Sequence, residues 1–268
     1  MSEVFMFAEE EKIQTANWKP VVLKVLIAIL AVFLLAEFAF YLLVIPTTST
    51  IRMTIQGSSS VGYDEICAIT GITGREKWFS FDTVSNAARL ASYPRFESVS
   101  IEKKFPDKIV VTVTERQPVA IGFGTLNNKT VPVVIDRNGV VFSVGFLPDT
   151  NNLPVITGIR FENPEAGMRL HNQLVPLLQE LHELESRNSV LLSSVSEIKI
   201  EPKTYGGYDL IIYPVHMPVR VKTDRSLNED ALQYMMLVLD VVQDLELDVE
   251  EIDIRAGTVA YRVREDVL

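Results

Sequence analysis

The feature that most constrains this chain is an apolar run of 25 residues near its N-terminus, from Val21 to Ile45. The run carries only two charged residues, Lys24 and Glu37. At about 1.5 Å rise per residue, a helix of this length exceeds the roughly 30 Å hydrocarbon core of a bilayer. A buried helix of a soluble domain is the alternative, but such helices seldom exceed about 20 residues with apolar side chains on every face. We therefore predict one transmembrane helix over residues 21–45.

Basic residues around the run indicate its orientation. Lys12, Lys19 and Lys24 lie on its N-terminal side, against Arg52 alone in the first twenty residues that follow it. Because the cytoplasmic flanks of membrane helices carry the excess of Lys and Arg, residues 1–20 are predicted to be a cytoplasmic tail. The run is longer than the apolar region of a signal peptide and lacks a small-residue cleavage site after it. It is typical of an uncleaved signal anchor.

Glu37 is unusual because it lies inside the apolar run. An ionised carboxylate deep in a membrane costs roughly 2.5 kcal/mol or more unless it is paired or protonated. Two interpretations stay open. Glu37 makes a polar contact with a partner helix, or it lies close enough to the outer interface, with Tyr41, to reach water.

The composition of the whole chain excludes some functions. The net charge is -10 and no cluster of Lys and Arg is present, so nucleic acid is an improbable partner, since phosphate binding needs clustered basic side chains. The roughly 220 residues after the apolar run are enough for one or two domains with a hydrophobic core. The lone Cys67 cannot form an internal disulfide, and we predict a buried, small apolar side chain.

Residues 46–118 show the order strand, helix, helix, strand, strand. The segments are predicted, in this order, at Ile51–Gln56, Tyr63–Ile69, a helix capped by Asp82 and ended by Pro94, Phe96–Lys103 and Ile109–Glu115. The apolar residues predicted on one face of the second helix are Val84, Ala87, Ala88 and Ala91. Phe105-Pro106-Asp107 is predicted to form the turn between the last two strands.

This order of elements beside a membrane anchor resembles a POTRA domain. More narrowly, two segments are similar to the signature of the FtsQ/DivIB family of bacterial cell-division proteins: Lys103-Lys104-Phe105-Pro106-Asp107 and Glu115-Arg116-Gln117-Pro118-Val119-Ala120. Two further segments continue the resemblance, Val134-Ile135-Asp136-Arg137-Asn138-Gly139-Val140-Val141-Phe142 and Leu153-Pro154-Val155-Ile156-Thr157-Gly158. The expected fold class is α+β, with a transmembrane helix, a POTRA domain over residues 46–118 and a larger α/β domain over residues 119–268 whose sheet is mostly antiparallel.

Several local patterns organise this second domain. Asn138-Gly139 is typical of a tight hairpin between two apolar strands. A leucine stripe predicts a core-facing helix, with Leu174, Leu177, Leu178, Leu181 and Leu184 on one side. Ser226 and Glu229 form a capping-box pattern at the start of a later helix. The apolar face of that helix is predicted to comprise Leu232, Met235, Met236, Leu239 and Val242.

No motif in the sequence predicts catalysis or a metal site. The three histidines, His171, His182 and His216, do not stand at metal-ligand spacing from one another or from cysteine. Gly122-Phe123-Gly124 lacks the following helix that a dinucleotide-binding fold requires, so we interpret these glycines as strand or turn residues. We expect no enzyme activity, no cofactor and no metal.

The last two strands carry the predicted binding site. Glu251–Arg255 and Thr258–Arg264 are predicted to form a hairpin joined at Ala256-Gly257, with Val259, Tyr261 and Val263 on one face of a half-buried strand. As the last strand of the sequence, it is expected at a sheet edge, where an extended partner segment can add to it. The family resemblance implies the same place. The candidate partner-binding residues are Ile252, Asp253, Ile254, Arg255, Gly257, Val259 and Tyr261. Two interpretations remain for Arg255 and Tyr261. Either both bind the partner, or Arg255 is a solvated charge and Tyr261 covers the core.

The resemblance implies a scaffold of the division machinery that joins early cytoplasmic-ring components to septal peptidoglycan synthesis. Its implied partners are FtsB-like and FtsL-like single-pass proteins and other divisome components. The implied location is the cell (inner) membrane at the division septum, with the bulk of the chain outside the cytoplasm. Two alternatives are a POTRA protein of secretion or outer-membrane assembly and a membrane-tethered envelope enzyme.

Overall fold

The computed structural model describes residues 18–57, 61–147 and 153–264. The predicted cytoplasmic tail lies almost wholly outside the described residues. The described chain is an α+β protein, as the sequence predicts, with an N-terminal apolar helix, a small three-stranded sheet and a large ten-stranded sheet.

The N-terminal helix spans the predicted membrane segment. Helix α1 (Trp18–Ala39) continues through a π-helical turn, Phe40–Val44, into a short helix α2 (Ile45–Thr48). Within Trp18–Val44 the most apolar window of 18 residues has a mean hydropathy of 2.7, and none of the residues of this helical stretch is buried by the described chain. A helix that is apolar on every side and covered by nothing fits a membrane span, which confirms the prediction of a transmembrane helix.

The order of elements predicted for the POTRA domain is confirmed. Its elements are β1 (Arg52–Gln56), α3 (Tyr63–Thr70), α4 (Thr83–Ala91), β2 (Phe96–Lys104) and β3 (Lys108–Glu115). The three strands form a sheet in the order β1-β3-β2. Strand β3 buries Ile109, Val111 and Val113 on one face and Val110 on the other.

The chain divides into two compact units whose limits cross this small sheet. The smaller unit holds residues up to Thr54, Ile72–Thr83 and Glu102–Val110. The larger unit holds Ile55–Gly71, Val84–Ile101 and the chain from Val111 onward. Because this division follows compactness and not the order of the chain, the domain limits drawn from the sequence, 46–118 and 119–268, stay predictions.

The predicted apolar face of helix α4 is wrong. Leu90 is its one fully buried residue, whereas Val84 is 77% exposed and Ala88 and Ala91 are exposed as well. A leucine side chain has more apolar surface to remove from water than an alanine methyl group, so the helix turns Leu90 inward. Cys67, on α3, is half-buried and not fully buried as predicted.

The larger sheet fills most of the second unit. Its strands are β4 (Pro118–Leu126), β5 (Lys129–Asp136), β6 (Val141–Val144), β7 (Val155–Thr157), β8 (Phe161–Glu162), β9 (Val195–Pro202), β10 (Tyr208–Pro214), β11 (Arg220–Thr223), β12 (Val249–Asp253) and β13 (Ala260–Val263). The order is β13-β12-β11-β10-β9-β7-β4-β5-β6, and β8 pairs with β4. Most neighbours are antiparallel, but β11–β12, β4–β7, β4–β8 and β7–β9 are parallel.

Two helices contribute to the core that packs with this sheet. Helix α5 (Val175–Leu192) buries the predicted leucines from Leu177 to Leu184, and Leu174, in the turn before it, is buried too. Helix α6 (Glu229–Asp244) buries Leu232, Met235, Val238, Leu239 and Val242, while Met236 is partly buried. Both predicted core-facing helices are confirmed.

The predicted capping box at the start of α6 is wrong. Asn228 is the cap, and its Oδ1 accepts a hydrogen bond from the backbone N–H of Ala231 at 2.9 Å. Ser226 instead donates to Glu180 of α5 at 2.8 Å, and the N–H of Leu227 donates to the same carboxylate at 2.6 Å. The Glu180 carboxylate therefore holds the segment just before the helix, and Asn228 caps the helix in place of Ser226.

Gly122 and Gly124 lie within β4, as the sequence predicts. A Cβ atom at Gly122 would come within 2.8 Å of the Phe161 ring, and one at Gly124 would come within 2.8 Å of the Phe161 Cβ. Phe161, on β8, is buried in the core and occupies the space that side chains at these positions would need. The two glycines are therefore required for close packing and not for binding a phosphate.

Candidate partner-binding edge of the sheet

Strand β13 ends the ten-stranded sheet, which confirms the predicted edge position. It pairs antiparallel with β12, with Tyr261 opposite Ile252 and Ala260 opposite Asp253. Strand β12 lies between β13 and β11, with which it pairs in parallel. Strand β13 therefore has a neighbouring strand on one side only among the described residues. Within the described residues, the outer edge of β13 pairs with no other strand, and β6 is the terminal strand at the opposite end of the sheet.

The burial predicted for β13 is wrong. Its four residues are all exposed, and Val259, Tyr261 and Val263 are about half exposed, with Tyr261 at 55%. The hydrophobic core includes Val249, Ile252 and Ile254 from the preceding segment and no residue of β13. The fully buried core residues end at β12, and residues on both faces of β13 are exposed.

The structure divides the predicted binding residues into two groups. Ile252 and Ile254 are buried, so their side chains hold the hairpin on the core. The exposed or half-exposed residues are Asp253, Arg255, Gly257, Val259 and Tyr261. The turn that joins the two strands is a short 3-10 segment, Arg255–Gly257, in which Ala256 and Gly257 have φ angles of +55° and +70°.

Arg255 is fixed by two carboxylates and is not a freely solvated charge. Its Nη1 donates to Asp209 Oδ2 of β10 at 2.7 Å, and its Nε donates to Asp253 Oδ1 at 2.8 Å. Its Nη2 also contacts Asp253 Oδ2. Asp209 is 5% exposed and makes a second ion pair, 2.5 Å long, with Lys203. This network ties the hairpin turn to the interior of the sheet.

A second set of ion pairs joins the last three strands. Arg220 of β11 contacts Glu250 and lies 3.6 Å from Glu251, both on β12. From the edge strand, Arg262 lies 3.4 Å from Glu250 and 3.5 Å from Glu251. The sequence analysis missed this network because its members come from three separate segments. The signal that could have revealed it is an acidic strand, β12, placed between two strands that carry basic residues, β11 and β13.

Protonation of the carboxylates around Arg255 is expected to loosen the hairpin. Burial alone would raise the pKa of Asp209. The hydrogen bonds and positive charges of Lys203 and Arg255 outweigh this effect, so the pKa lies below the usual 3.8. Hydrogen bonds from Arg255 likewise lower the pKa of Asp253. Both groups therefore contribute stability that is complete above their unfolded pKa of about 4 and is lost as the pH falls through the folded pKa.

We accordingly expect the free energy of unfolding to decrease as the pH falls below about 4. Urea denaturation of the detergent-solubilised chain at a series of acidic pH values measures this decrease. The matched variant Arg255→Met, which removes the shared cation, should show a shallower decrease over the same range. An equally steep decrease in that variant would contradict the role given to Arg255.

Two of the segments that carried the family resemblance meet inside the larger unit. Arg116 donates from Nη1 to Asp136 Oδ2 at 2.5 Å and from Nε to the carbonyl of Pro94 at 2.8 Å. Asp136 also accepts from the backbone N–H groups of Asn138 and Val140, at 3.0 and 2.7 Å. The Asn138-Gly139 turn is confirmed, although only Gly139 has a positive φ. These motif residues are structural.

Glu37 and possible metal ligands lie apart from the edge strand. Glu37 lies on the exposed surface of α1, where no side-chain contact is described for it. Among the described residues, no group of His, Cys, Asp or Glu is arranged to hold a metal ion.

Comparison with known families adds the final observation. Residues 50–116 match the POTRA domain, FtsQ-type, and residues 125–255 match the cell division protein FtsQ/DivIB C-terminal domain. The solved extracytoplasmic domain of DivIB from Geobacillus stearothermophilus is 16% identical and covers 48% of this chain and 96% of that domain. Its TM-score of 0.29 is too low to support any statement about the fold.

Curated relatives give the same family. The cell division protein FtsQ of Syntrophotalea carbinolica is 27% identical over 65% of this chain and 59% of its own length. The cell division protein DivIB of Bacillus cytotoxicus is 26% identical over 74% of this chain and 71% of its own. FtsQ of Anaeromyxobacter sp. is 30% identical over 58% of this chain and 51% of its own. Because the FtsQ-type POTRA model and the FtsQ/DivIB C-terminal model together match most of the sequence, this chain belongs to the FtsQ/DivIB family of bacterial cell-division proteins.

Proposed function

We propose that this chain is a non-catalytic scaffold of the division machinery that captures an extended segment of a partner by adding it to strand β13. The partners are an FtsB-like and an FtsL-like single-pass protein, through which early cytoplasmic-ring components are joined to septal peptidoglycan synthesis. The observation that carries this proposal is the exposed position of β13 at the end of the sheet.

An edge strand can bind without any pocket. Its outer side presents backbone N–H and C=O groups that a partner strand can pair with, and alternate side chains then supply specificity. Tyr261 suits the second task because an aromatic side chain that is 55% exposed provides a large apolar contact at low entropic cost.

The ion pairs behind the edge favour tight binding. Association costs free energy whenever a segment must be ordered first, and a pre-organised surface reduces that cost. The turn before β13 is held by Arg255, and β13 itself is held to β12 by Arg262. The edge is therefore already in the geometry that an added strand needs.

The anchor places this edge outside the cytoplasm in our proposal. The apolar helix provides the single span, and the basic residues before it favour a cytoplasmic N-terminus. The larger unit would then be on the outer side of the inner membrane and concentrated at the division septum. Glu37, on the exposed surface of the helix, is proposed to make a polar contact with a partner helix.

Partner capture by full-length variants in the native host tests the proposal. Tyr261→Glu is expected to weaken capture of the FtsB-like partner by about 2 kcal/mol or more, roughly thirty-fold in Kd, as for a central interface aromatic. Co-purification from membranes measures capture, and filaments without septa report the loss of division. Tyr205→Glu is the matched control, because Tyr205 is fully exposed in the turn between β9 and β10.

A chain that ends after Gly257 lacks β13 altogether and should lose capture completely. If both Tyr261→Glu and this truncation captured the partner as the original chain does, the binding site would lie elsewhere. Normal septation with failed protein export after depletion would instead favour a role in secretion.

A further inference from the structure

The smaller unit carries an exposed aromatic cluster that the division role does not explain. Trp78 and Phe79 are adjacent in the chain, and their ring centroids lie 5.2 Å apart. Phe105, in the turn between β2 and β3, packs edge-on against Trp78 at 5.9 Å. We call these three residues the aromatic tip. Despite this mutual packing, Phe79 stays 54% exposed and Phe105 40% exposed.

Contact with the membrane helix fixes the depth of the aromatic tip. Phe105 packs edge-on against Tyr41 with a centroid distance of 5.3 Å. Tyr41 lies about 35 Å along the helix from Trp18, at about 1.5 Å per residue. Since the hydrocarbon core is only about 30 Å thick, a helix that starts at one interface has reached the opposite headgroup region at Tyr41. Phe105 is therefore at headgroup level too.

The rigidity of the aromatic tip is consistent with a binding surface. The Trp78 indole N–H donates to the carbonyl of Lys108 at 3.3 Å. Lys103 Nζ lies 5.4 Å from the Trp78 ring centroid and donates to the carbonyl of Phe79 at 3.3 Å. These bonds hold the rings in place without burying Phe79 or Phe105.

The charge around the aromatic tip differs in sign from that of the chain. The parts of the smaller unit that follow the helix have six basic and four acidic residues, whereas the whole chain has a net charge of -10. Two of the acidic residues are already engaged: Asp107 is paired with Arg52 at 2.9 Å, and Glu76 accepts hydrogen bonds from Thr73. Lys104, next to Phe105, is exposed.

Exposed aromatic rings with basic neighbours at headgroup depth match the chemistry of a lipid surface. Aromatic side chains are enriched at membrane interfaces, and basic side chains are attracted to anionic headgroups. We propose that the aromatic tip, with Lys103 and Lys104, forms a second membrane contact that sits among the headgroups beside the helix and binds anionic lipids. The partner is a lipid surface, continuous with the one that surrounds the helix.

Fluorescence of the full chain in lipid nanodiscs tests this contact. The chain has two tryptophans, so Trp18→Phe leaves Trp78 as the sole reporter. We expect Trp78 to be quenched strongly by phosphatidylcholine with a nitroxide near the headgroup, and less by one with a nitroxide at the chain end. Quenching should increase with the fraction of phosphatidylglycerol and decrease with added salt.

Variants separate the proposed contact from simple tethering by the helix. Phe79→Ser with Phe105→Ser should remove most of the quenching, while pulse proteolysis checks that the chain is still folded. Lys104→Glu, a single exposed change, should remove the dependence on phosphatidylglycerol, and Lys129→Glu in the larger unit is its charge-matched control. The proposal is overturned if Trp78 is quenched by aqueous iodide but not by lipid nitroxides, which would leave the aromatic tip to a protein partner. It is also overturned if the variants at Phe79, Phe105 and Lys104 show the same quenching of Trp78 by lipid nitroxides as the original chain.

Discussion

Replacing Asp136 by alanine is expected to destabilise the larger unit by about 3–5 kcal/mol, the usual cost of breaking a buried ion pair from one side. The Asp136 side chain is 1% exposed and lies 2.5 Å from the Arg116 guanidinium, which is itself mostly buried. It also accepts the backbone N–H groups of Asn138 and Val140. The substitution therefore leaves a buried cation and two backbone donors without their acceptor.

Pulse proteolysis of the detergent-solubilised chain across a urea series measures this loss. Asp248→Ala is the control, because the Asp248 side chain is 65% exposed and lies 3.8 Å from Arg264, so it should cost less than about 1 kcal/mol. In the double variant Arg116→Ala/Asp136→Ala no uncompensated charge remains. We expect it to be less destabilised than the sum of the single changes. A cost below about 1 kcal/mol for Asp136→Ala would contradict the role given to the pair.

Gly158→Ala is expected to destabilise the same unit by roughly 2–6 kcal/mol, from two sources that add. Gly158 has a φ of +83°, a conformation that side chains disfavour. A Cβ atom there would also lie 2.1 Å from the carbonyl oxygen of Ile200, on the neighbouring strand β9. Since that atom belongs to the backbone of the sheet, β9 would have to move.

Gly145 provides a matched control because its φ is also +83°, and a Cβ atom there would meet nothing within 4 Å. Gly145→Ala should cost only the conformational strain of about 1–3 kcal/mol. The difference between the two variants, measured by the same urea series, isolates the clash with Ile200. Equal destabilisation by the two substitutions would mean that β9 moves away from the new Cβ atom at no measurable cost.

Periodic and local patterns predicted much of the fold. The apolar run, the strand-helix-helix-strand-strand order and the leucine stripe of α5 each depend on residues close in sequence, and each is confirmed. The face of α4 was predicted wrongly because counting apolar positions gave alanines the same weight as Leu90. The Ser226 pattern failed for another reason, since Glu180, 46 residues earlier, takes its hydrogen bond.

The candidate site was predicted only in part. The sequence indicated the edge position of β13, but the alternation of Val259, Tyr261 and Val263 could not reveal that the core ends at the preceding strand. The pairing of Arg255 with Asp209 could not be predicted either, because Asp209 lies 46 residues away and only the sheet order brings β10 near the hairpin turn. Whether Tyr261 binds a partner stays a prediction.

The packing of Phe161 over Gly122 and Gly124 restricts how this chain can diverge. A side chain at Gly122 would meet the Phe161 ring, and a smaller residue at position 161 alone would leave a cavity in the core. At Gly124 a side chain would meet the Phe161 Cβ and backbone oxygen and Pro164, so it is excluded whichever side chain stands at position 161. Each single substitution is therefore disfavoured. A larger residue at position 122 on β4 together with a smaller one at position 161 on β8 could restore the packing. Positions 122 and 161 are therefore expected to covary, so related sequences should either keep the glycine and the phenylalanine or replace both together, whereas position 124 should stay glycine.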